Sequence, residues 1–135
     1  MKIRACKKSE VQRQTQGGLF CWDTMFPNKV SGDNFEEEVL KNSLPVIVVF
    51  YTTWCAPCKY IAPRVRLFHE FHRDKIKVCS VNPDEESSLA STYGIRGIPA
   101  FIIFHQGKIV DSFIGGDEGL FEREMKKIFK KLGIT

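Results

Sequence analysis

Apolar residues form one nearly unbroken block near the middle of the chain, at residues 45–52, and many of them are β-branched. A block of this kind, without polar alternation, predicts a strand that is covered on both faces. Residues 76–81 and 100–105 are shorter segments rich in apolar residues and predict two more strands. A fourth strand is predicted at 108–114, joined to the third by a turn at Gln106-Gly107.

Two stretches carry apolar residues at helical spacing around the first strand. The first covers about 34–42, and Asp33 with Glu36 predicts a capping box at its start. The second covers about 56–73, with Pro63 inside it. A proline there removes a backbone hydrogen bond, so the pattern predicts a kinked helix.

Two further helices are marked by their starting residues. Asn82-Pro83, with Glu85 behind it, has the composition of an N-cap, a first helical position and a capping box. Gly115-Gly116 precedes a final helix with acids early and lysines late, the order that the helix dipole favours. With a short strand or apolar anchor at Leu19–Trp22, the predicted order is β-α-β-α-β-α-β-β-α.

The chain has the length and composition of one globular domain. It has 135 residues, of which 43% are hydrophobic and 27% charged. Residues 1–18 are basic and end in Gly17-Gly18, which predicts a flexible extension, with a domain over 19–135. No apolar run approaches the roughly 20 residues of a membrane span, and no basic face is interleaved with aromatics. We therefore expect a monomer that binds neither membrane nor nucleic acid.

The number and spacing of the cysteines favour a reducing compartment. There are five, at positions 6, 21, 55, 58 and 79, without the dense spacing of a secreted disulfide scaffold. Residues 1–22 lack the apolar core of a signal peptide. The basic, acid-poor start resembles part of an organelle transit sequence. We therefore expect the cytosol or an organelle stroma, with the chloroplast as one possibility, and not secretion.

Cys55 and Cys58 are the residues with the clearest chemistry. They stand three apart, where the predicted buried strand passes into a helix. The positive end of a helix dipole stabilises a thiolate, and thiolates attack disulfides. This arrangement predicts dithiol–disulfide exchange with other proteins, against the alternative of two core cysteines that happen to be close.

Zinc binding is a second chemical interpretation of the same cysteines. A structural zinc site needs four ligands, often from two Cys-x-x-Cys pairs, and Cys6, Cys21 and Cys79 supply no second pair. His69 and His72 lie about 16 Å along the predicted helix from the cysteines. We expect no metal site, surface or half-buried packing for both histidines, a buried thiol at Cys79, and at most accessory redox thiols at Cys6 and Cys21.

Several motifs together resemble the thioredoxin family, over roughly residues 30–132. They are Trp54-Cys55-Ala56-Pro57-Cys58-Lys59, Pro63 in the following helix, Tyr93-Gly94-Ile95-Arg96-Gly97-Ile98-Pro99 and Gly115. The resemblance implies an α/β thioredoxin fold, a single domain with a central mixed β-sheet flanked by helices. It also implies a cis peptide at Ile98-Pro99, with the Ile98 backbone pairing with an extended substrate segment. The implied catalytic residues are Cys55 and Cys58, and the implied substrate-binding residues are Trp54, Ala56, Pro57, Gly97, Ile98, Pro99 and Gly115.

The function implied by the resemblance is that of a protein-disulfide reductase, an oxidoreductase with a redox-active centre that serves electron transport and cell redox homeostasis. Its partners would be client proteins with exposed disulfides and an upstream thioredoxin reductase, flavin- or ferredoxin-linked. No cofactor is implied, because the Cys55–Cys58 disulfide is itself the redox centre. An oxidase or isomerase is disfavoured, since Ala56-Pro57 contains neither histidine nor charge. The alternative is a thioredoxin-fold interaction module, or scaffold, with weak redox turnover.

Three positions depart from the usual thioredoxin pattern. Val49 stands six residues before Cys55, where the family usually has a buried aspartate, and Ser80 stands where a lysine is frequent. In the family that carboxylate is thought to help move the proton of the second cysteine. Without it, Cys58 lacks an obvious general base, which predicts slower release of the mixed disulfide. Ala56 replaces the usual glycine, and we expect only a small effect from it.

Overall fold

The computed structural model describes residues 11–13, 19–21 and 25–134, with side chains from residue 25 onwards. The strands are β1 Val11–Arg13, β2 Leu19–Cys21, β3 Val46–Phe50, β4 Lys77–Val81, β5 Ala100–His105 and β6 Lys108–Ile114. The helices are a π-helix Glu36–Leu40, α1 Ala56–His72, α2 Ser87–Thr92 and α3 Glu118–Leu132. All four strands predicted after residue 44 are confirmed, with bounds within two residues of the expected ones.

A mixed four-stranded sheet in the order β4-β3-β5-β6 forms the centre of the fold. Strand β3 pairs in parallel with β4 and antiparallel with β5, and β5 pairs antiparallel with β6. Every residue of β3 is buried. The prediction of a strand covered on both faces is therefore confirmed, and so is a central mixed sheet flanked by helices.

The sheet separates two apolar cores. Ile47 and Val49 of β3 face a core built with α1 and α3, which we call the α1/α3 core. Val48 faces the other core, which includes Val39 of the π-helix and Leu89 of α2, and which we call the π-helix core. Because side chains alternate along a strand, one five-residue segment supplies both cores. Cys55 and Cys58 belong to the α1/α3 core.

Helix α1 follows the predicted pattern, with Ile61, Val65 and Phe68 buried on its inner face. It continues through Pro63 and runs for 17 residues. Within the part of the chain that the structure describes, no helix combines the length and the apolar content needed to cross a bilayer.

The first helix begins differently from the expectation. Its N-cap is Phe35, and no side chain caps its amides, so the predicted capping box of Asp33 and Glu36 is wrong. Asn34 Oδ1 instead accepts a hydrogen bond from the Ser31 amide at 2.8 Å. The buried ring of Phe35 packs against Phe104 with a centroid distance of 5.7 Å. Packing at Phe35, rather than capping at Asp33, marks the start of this helix.

Helix α2 begins at Ser87, later than Asn82-Pro83 predicts. The reason is a turn around Asn82, whose side-chain oxygen accepts the Asp84 amide at 2.9 Å. The Asn82 carbonyl accepts the amides of Glu85 and Glu86. Asn82 therefore does cap backbone amides, but the structure that it closes is a turn and not the helix.

Strands β1 and β2 form a separate antiparallel pair near the start of the chain. β2 coincides with the short strand proposed at Leu19–Trp22, one of two alternatives for that segment. Residues 1–10 and 14–18, including Cys6, lie outside the described residues, and so does Trp22. The division into an extension over 1–18 and a domain over 19–135 stays a prediction.

Candidate active site

Cys55 occupies the N-cap position of α1, directly after the loop that follows β3. Its Sγ accepts a hydrogen bond from the Cys58 amide at 3.1 Å. The first amides of a helix have no partner within the helix, so the sulfur takes the place that a serine or aspartate oxygen usually fills. A negative charge on Cys55 Sγ would therefore face both an amide proton and the positive end of the helix.

The two cysteines form a disulfide with unequal surroundings. Their Cα atoms lie 5.2 Å apart. Cys55 is 5% exposed, whereas Cys58 is fully buried in the α1/α3 core. The pair therefore offers only its first sulfur to a protein partner.

The Ile98-Pro99 peptide is cis, as the resemblance implied. The Ile98 carbonyl oxygen lies 4.0 Å from Cys55 Sγ. The Gly115 amide donates a hydrogen bond to the Pro99 carbonyl at 2.9 Å. These contacts bring residues from the start of β5 and the end of β6 to the disulfide.

Two glycines of the expected substrate surface stand in close contact with neighbouring side chains. A Cβ at Gly97 would lie 3.1 Å from Ile114 Cγ2. Gly115 has a φ of +135°, a conformation that favours glycine, and a Cβ there would lie 3.0 Å from Leu120 Cδ2. A side chain at Gly97 would displace Ile114 by a few tenths of an ångström, whereas Gly115 also has a backbone conformation that other residues rarely adopt. Their role towards a substrate stays a prediction.

Trp54 lies on the surface beside Cys55, and Asp84 fixes its indole. Trp54 Nε1 donates a hydrogen bond to Asp84 Oδ2 at 2.9 Å. Asp84 is not among the site residues predicted from the sequence. A signal was available, because Asp84 follows β4 and Trp54 follows β3, and the carboxyl ends of two parallel strands meet at one sheet edge.

Gly116 contacts the turn between the two cysteines, and it too is absent from the site residues predicted from the sequence. A Cβ at Gly116 would lie 2.5 Å from the Pro57 carbonyl oxygen and 2.9 Å from Pro57 Cβ. The backbone between β6 and α3 therefore lies directly against Pro57. The Gly-Gly pair in the sequence marked a turn but not this contact.

The family model described as Thioredoxin matches residues 26–127. The chain belongs to the thioredoxin family. The match covers the whole four-stranded sheet, α1 and most of α3.

Individual thioredoxins resemble the chain over the same region. Thioredoxin 1 of Synechococcus elongatus is 45% identical over 86 residues, which are 64% of this chain and 80% of the relative. Thioredoxin M-type, chloroplastic, of Chlamydomonas reinhardtii is 43% identical over 64% of this chain and 61% of the relative. The solved thioredoxin of Malassezia sympodialis superimposes with a TM-score of 0.68 at 29% identity, covering 74% of this chain and 90% of that one. The predicted thioredoxin fold is thereby confirmed.

Membership of the family assigns the general chemistry. The chain is a thiol–disulfide oxidoreductase with Cys55 and Cys58 as its redox pair, so the redox centre is part of the protein itself. Thioredoxins act on protein disulfides and are typically reduced by a thioredoxin reductase. In the described ranges no group of three or more His, Cys, Asp or Glu residues could hold a metal ion.

Val49 and Ser80, two of the three departures from the usual thioredoxin pattern, lie on neighbouring strands. Val49 is fully buried in the α1/α3 core, which also contains Cys58. Ser80 pairs with Val49 across β3 and β4, and its hydroxyl donates to the Pro27 carbonyl at 3.0 Å. Position 49 therefore supplies an apolar surface to the core and no proton acceptor.

Cys79, His69 and His72 are packed side chains. Cys79 is a free, buried thiol, and burial raises its pKa to about 12, so it stays protonated at neutral pH. Burial lowers the pKa of His69. His72 packs between the rings of Phe68 and Phe129, at 4.6 and 5.1 Å. The expectations for these three residues are confirmed.

Gly116→Ala is expected to make the reduction potential of the Cys55–Cys58 pair less negative, by about 15–30 mV. The added methyl group would collide with Pro57, and the shift of the turn would destabilise the disulfide form that the structure shows. Equilibration in graded redox buffers measures the change. Gly32→Ala is the matched control, because its nearest neighbour is 3.9 Å away. Equal potentials for the two variants would contradict the prediction.

Proposed function

We propose that this thioredoxin-family chain works as a protein-disulfide reductase, with Cys55 as the attacking thiolate and Cys58 as the resolving thiol. The observation that carries the proposal is the position of Cys55 Sγ at the N-terminus of α1, with the Cys58 amide 3.1 Å away. Attack by Cys55 forms a mixed disulfide with the client and releases the client's other sulfur as a thiolate. Cys58 then attacks Cys55 Sγ, so the client is reduced and the Cys55–Cys58 bond forms.

The surface around Cys55 is proposed as the client site. The Ile98 backbone, 4.0 Å from Cys55 Sγ, would pair with an extended client segment. Trp54, Ala56 and Pro57 would contact it from the side of the cysteine turn. Pro99, Gly97 and Gly115 would complete the other side. Because the two glycines have no side chains, they would leave the backbone open to the client.

The reducing direction follows from the residues between the cysteines. Ala56 and Pro57 carry no charge and no hydrogen-bonding side chain, so nothing in the turn stabilises the thiolate beyond the helix N-terminus. A strongly oxidising disulfide needs extra stabilisation of its reduced form. The donor would then be a thioredoxin reductase, flavin- or ferredoxin-linked, and the working form a monomer. A reducing compartment such as the cytosol or the chloroplast stroma fits both this chemistry and the chloroplastic and cyanobacterial relatives.

The reduction potential of the Cys55–Cys58 pair tests this proposal. We expect a midpoint near −270 mV, the thioredoxin value, by thiol trapping and mass spectrometry across a graded redox buffer. A midpoint between about −180 and −120 mV would instead indicate an isomerase or an oxidant.

A scaffold with weak redox turnover is the second candidate, and Val49 is the observation that favours it. With a valine in the buried position near Cys58, resolution of the mixed disulfide lacks a nearby carboxylate base. If no disulfide forms at any redox poise, the scaffold function replaces the reductase.

A further inference from the structure

The outer face of α1 carries apolar side chains from one end to the other. All members of this set are exposed. They form what we call the α1 strip: Ala56, Tyr60, Pro63, Leu67 and Phe71. The three largest side chains are highly exposed, at 65% for Tyr60, 51% for Leu67 and 72% for Phe71. Single exposed apolar residues are common, but contiguous apolar surfaces mark interaction sites.

Helix geometry aligns these side chains. At about 100° per residue, Tyr60, Leu67 and Phe71 fall within a sector of roughly 40°. The 15 steps from Ala56 to Phe71 span about 22 Å. The strip is therefore one continuous ridge with the length of a short binding helix or strand. The inner face of α1 is already filled by the α1/α3 core, so the ridge is additional to what the fold requires.

One end of the strip lies at the disulfide. Ala56 and Pro57, both exposed, stand between the two cysteines, and Tyr60 follows Cys58 by two residues. A protein that exchanges a disulfide with Cys55 must contact this turn, because the reacting sulfurs have to meet. The strip therefore continues the surface on which the reaction takes place, away from Ile98 and along α1.

The charges beside the strip indicate the chemistry of what binds there. Helix α1 carries Lys59, Arg64 and Arg66 against Glu70 as its acid, a net positive charge. An acidic segment is therefore the complementary one. The chain's own N-terminal segment has five basic residues against Glu10, so like charge disfavours it as the occupant.

We propose that the α1 strip docks an apolar segment with flanking carboxylates, on the protein that exchanges disulfides at Cys55. This inference rests on the proposed reductase function, since it makes the strip an extension of that reaction site. The segment would lie with its apolar side on Tyr60, Leu67 and Phe71 and its carboxylates towards Arg64 and Lys59. Docking there would select among partners whose disulfides are otherwise equivalent.

The test uses two synthetic peptides and the full chain carrying Cys58→Ser, reduced beforehand. Each peptide has one cysteine activated as a mixed disulfide with 5-thio-2-nitrobenzoate, followed by leucines at helical spacing. The peptides differ in having glutamates or lysines at the other positions. Cys55 attacks the peptide sulfur, the Cys55–peptide bond forms, and the coloured 5-thio-2-nitrobenzoate thiolate leaves. Its release, less the release by the same chain with Cys55→Ser in addition, gives the rate constant of Cys55, and mass spectrometry confirms the adduct at Cys55.

We expect the glutamate peptide to react about tenfold faster than the lysine peptide. In the double variant Leu67→Ser with Phe71→Ser, we expect the rate with the glutamate peptide to fall about fivefold or more. Ile109→Ser is the matched control, because Ile109 is equally exposed but lies on β6. Equal rates for the double variant and the control would overturn the docking proposal. A faster lysine peptide would overturn the acidic occupant.

Separate readouts distinguish the other outcomes. The small disulfide 5,5′-dithiobis(2-nitrobenzoate) needs no docking, so the double variant should react with it as the control does. If the reduced wild-type chain reacts with this reagent no faster than the Cys55→Ser chain does, the reductase function itself fails, and the docking proposal with it. If the wild-type chain sediments as a dimer and the double variant as a monomer, the strip binds a second copy of the chain. A lower melting temperature for the double variant than for the control would assign it to the chain's own N-terminal segment.

Discussion

Cys55→Ser is expected to lower the rate of protein-disulfide exchange by about a thousandfold or more, to near the uncatalysed level. A serine hydroxyl at the N-cap can accept the Cys58 amide as Cys55 Sγ does. The fold is therefore kept, while the one sulfur of the Cys55–Cys58 pair that a partner can reach is removed. Reduction of an insulin-type protein disulfide with dithiothreitol as the electron source measures the loss.

Two further cysteine variants make this result specific. Cys58→Ser should leave the first attack intact and accumulate the mixed disulfide at Cys55, visible as a covalent adduct. Cys79→Ser should leave exchange unchanged, since Cys79 lies on β4 in the π-helix core and its thiol stays protonated at neutral pH. The scaffold function would be supported instead if the Cys55→Ser variant lost exchange but still bound the same partner proteins and gave cells the wild-type phenotype.

Val49→Asp is expected to lower the free energy of unfolding by about 3–5 kcal/mol at neutral pH. Val49 is fully buried in an apolar core, and burial disfavours the charged form of a carboxyl group and raises its pKa. The folded state then holds a proton that the unfolded state releases, so the loss grows as the pH rises above about 4. Urea unfolding at pH 4 and pH 7 measures both effects.

At a pH above the raised pKa of the introduced carboxyl group, the same substitution should speed resolution of the mixed disulfide by about tenfold, because the ionised carboxylate can then accept the Cys58 proton. Val48→Asp is the matched control: Val48 is equally buried, but it faces the π-helix core on the other side of the sheet. The control should be similarly destabilised without a faster resolution step. Rapid-mixing kinetics of a preformed Cys55 adduct separate the two. Equal resolution rates would show that position 49 does not limit turnover.

The sequence predicts those features that depend on residues close together in the chain. The uniform apolar run at Val46–Phe50, the turn at Gln106-Gly107 and the placement of Cys55 at a helix N-terminus all follow from local patterns. The start of the first helix does not, because the ring of Phe35 packs on Phe104, which is distant in sequence. Capping rules alone gave Asp33 the role that tertiary packing gives to Phe35.

In the candidate site, too, some features follow from local sequence motifs and others only from tertiary packing. Cys55, Cys58 and Ile98-Pro99 are identified by motif and by resemblance, and the structure places Ile98 beside Cys55. The contacts of Asp84 with Trp54 and of Gly116 with Pro57 join segments with no shared motif. They depend on which strand ends meet at one edge of the sheet, and residue types alone do not reveal this.

The division of the interior by the sheet has a consequence for how such a protein changes over generations. The disulfide, α1 and α3 share one core, and the π-helix and α2 share the other. Stability effects of substitutions that share no neighbours usually add. One half of the interior can therefore accumulate changes while the half around the cysteines is retained. Related proteins with this architecture can therefore diverge in the π-helix core while the α1/α3 core, which holds the disulfide, stays the same.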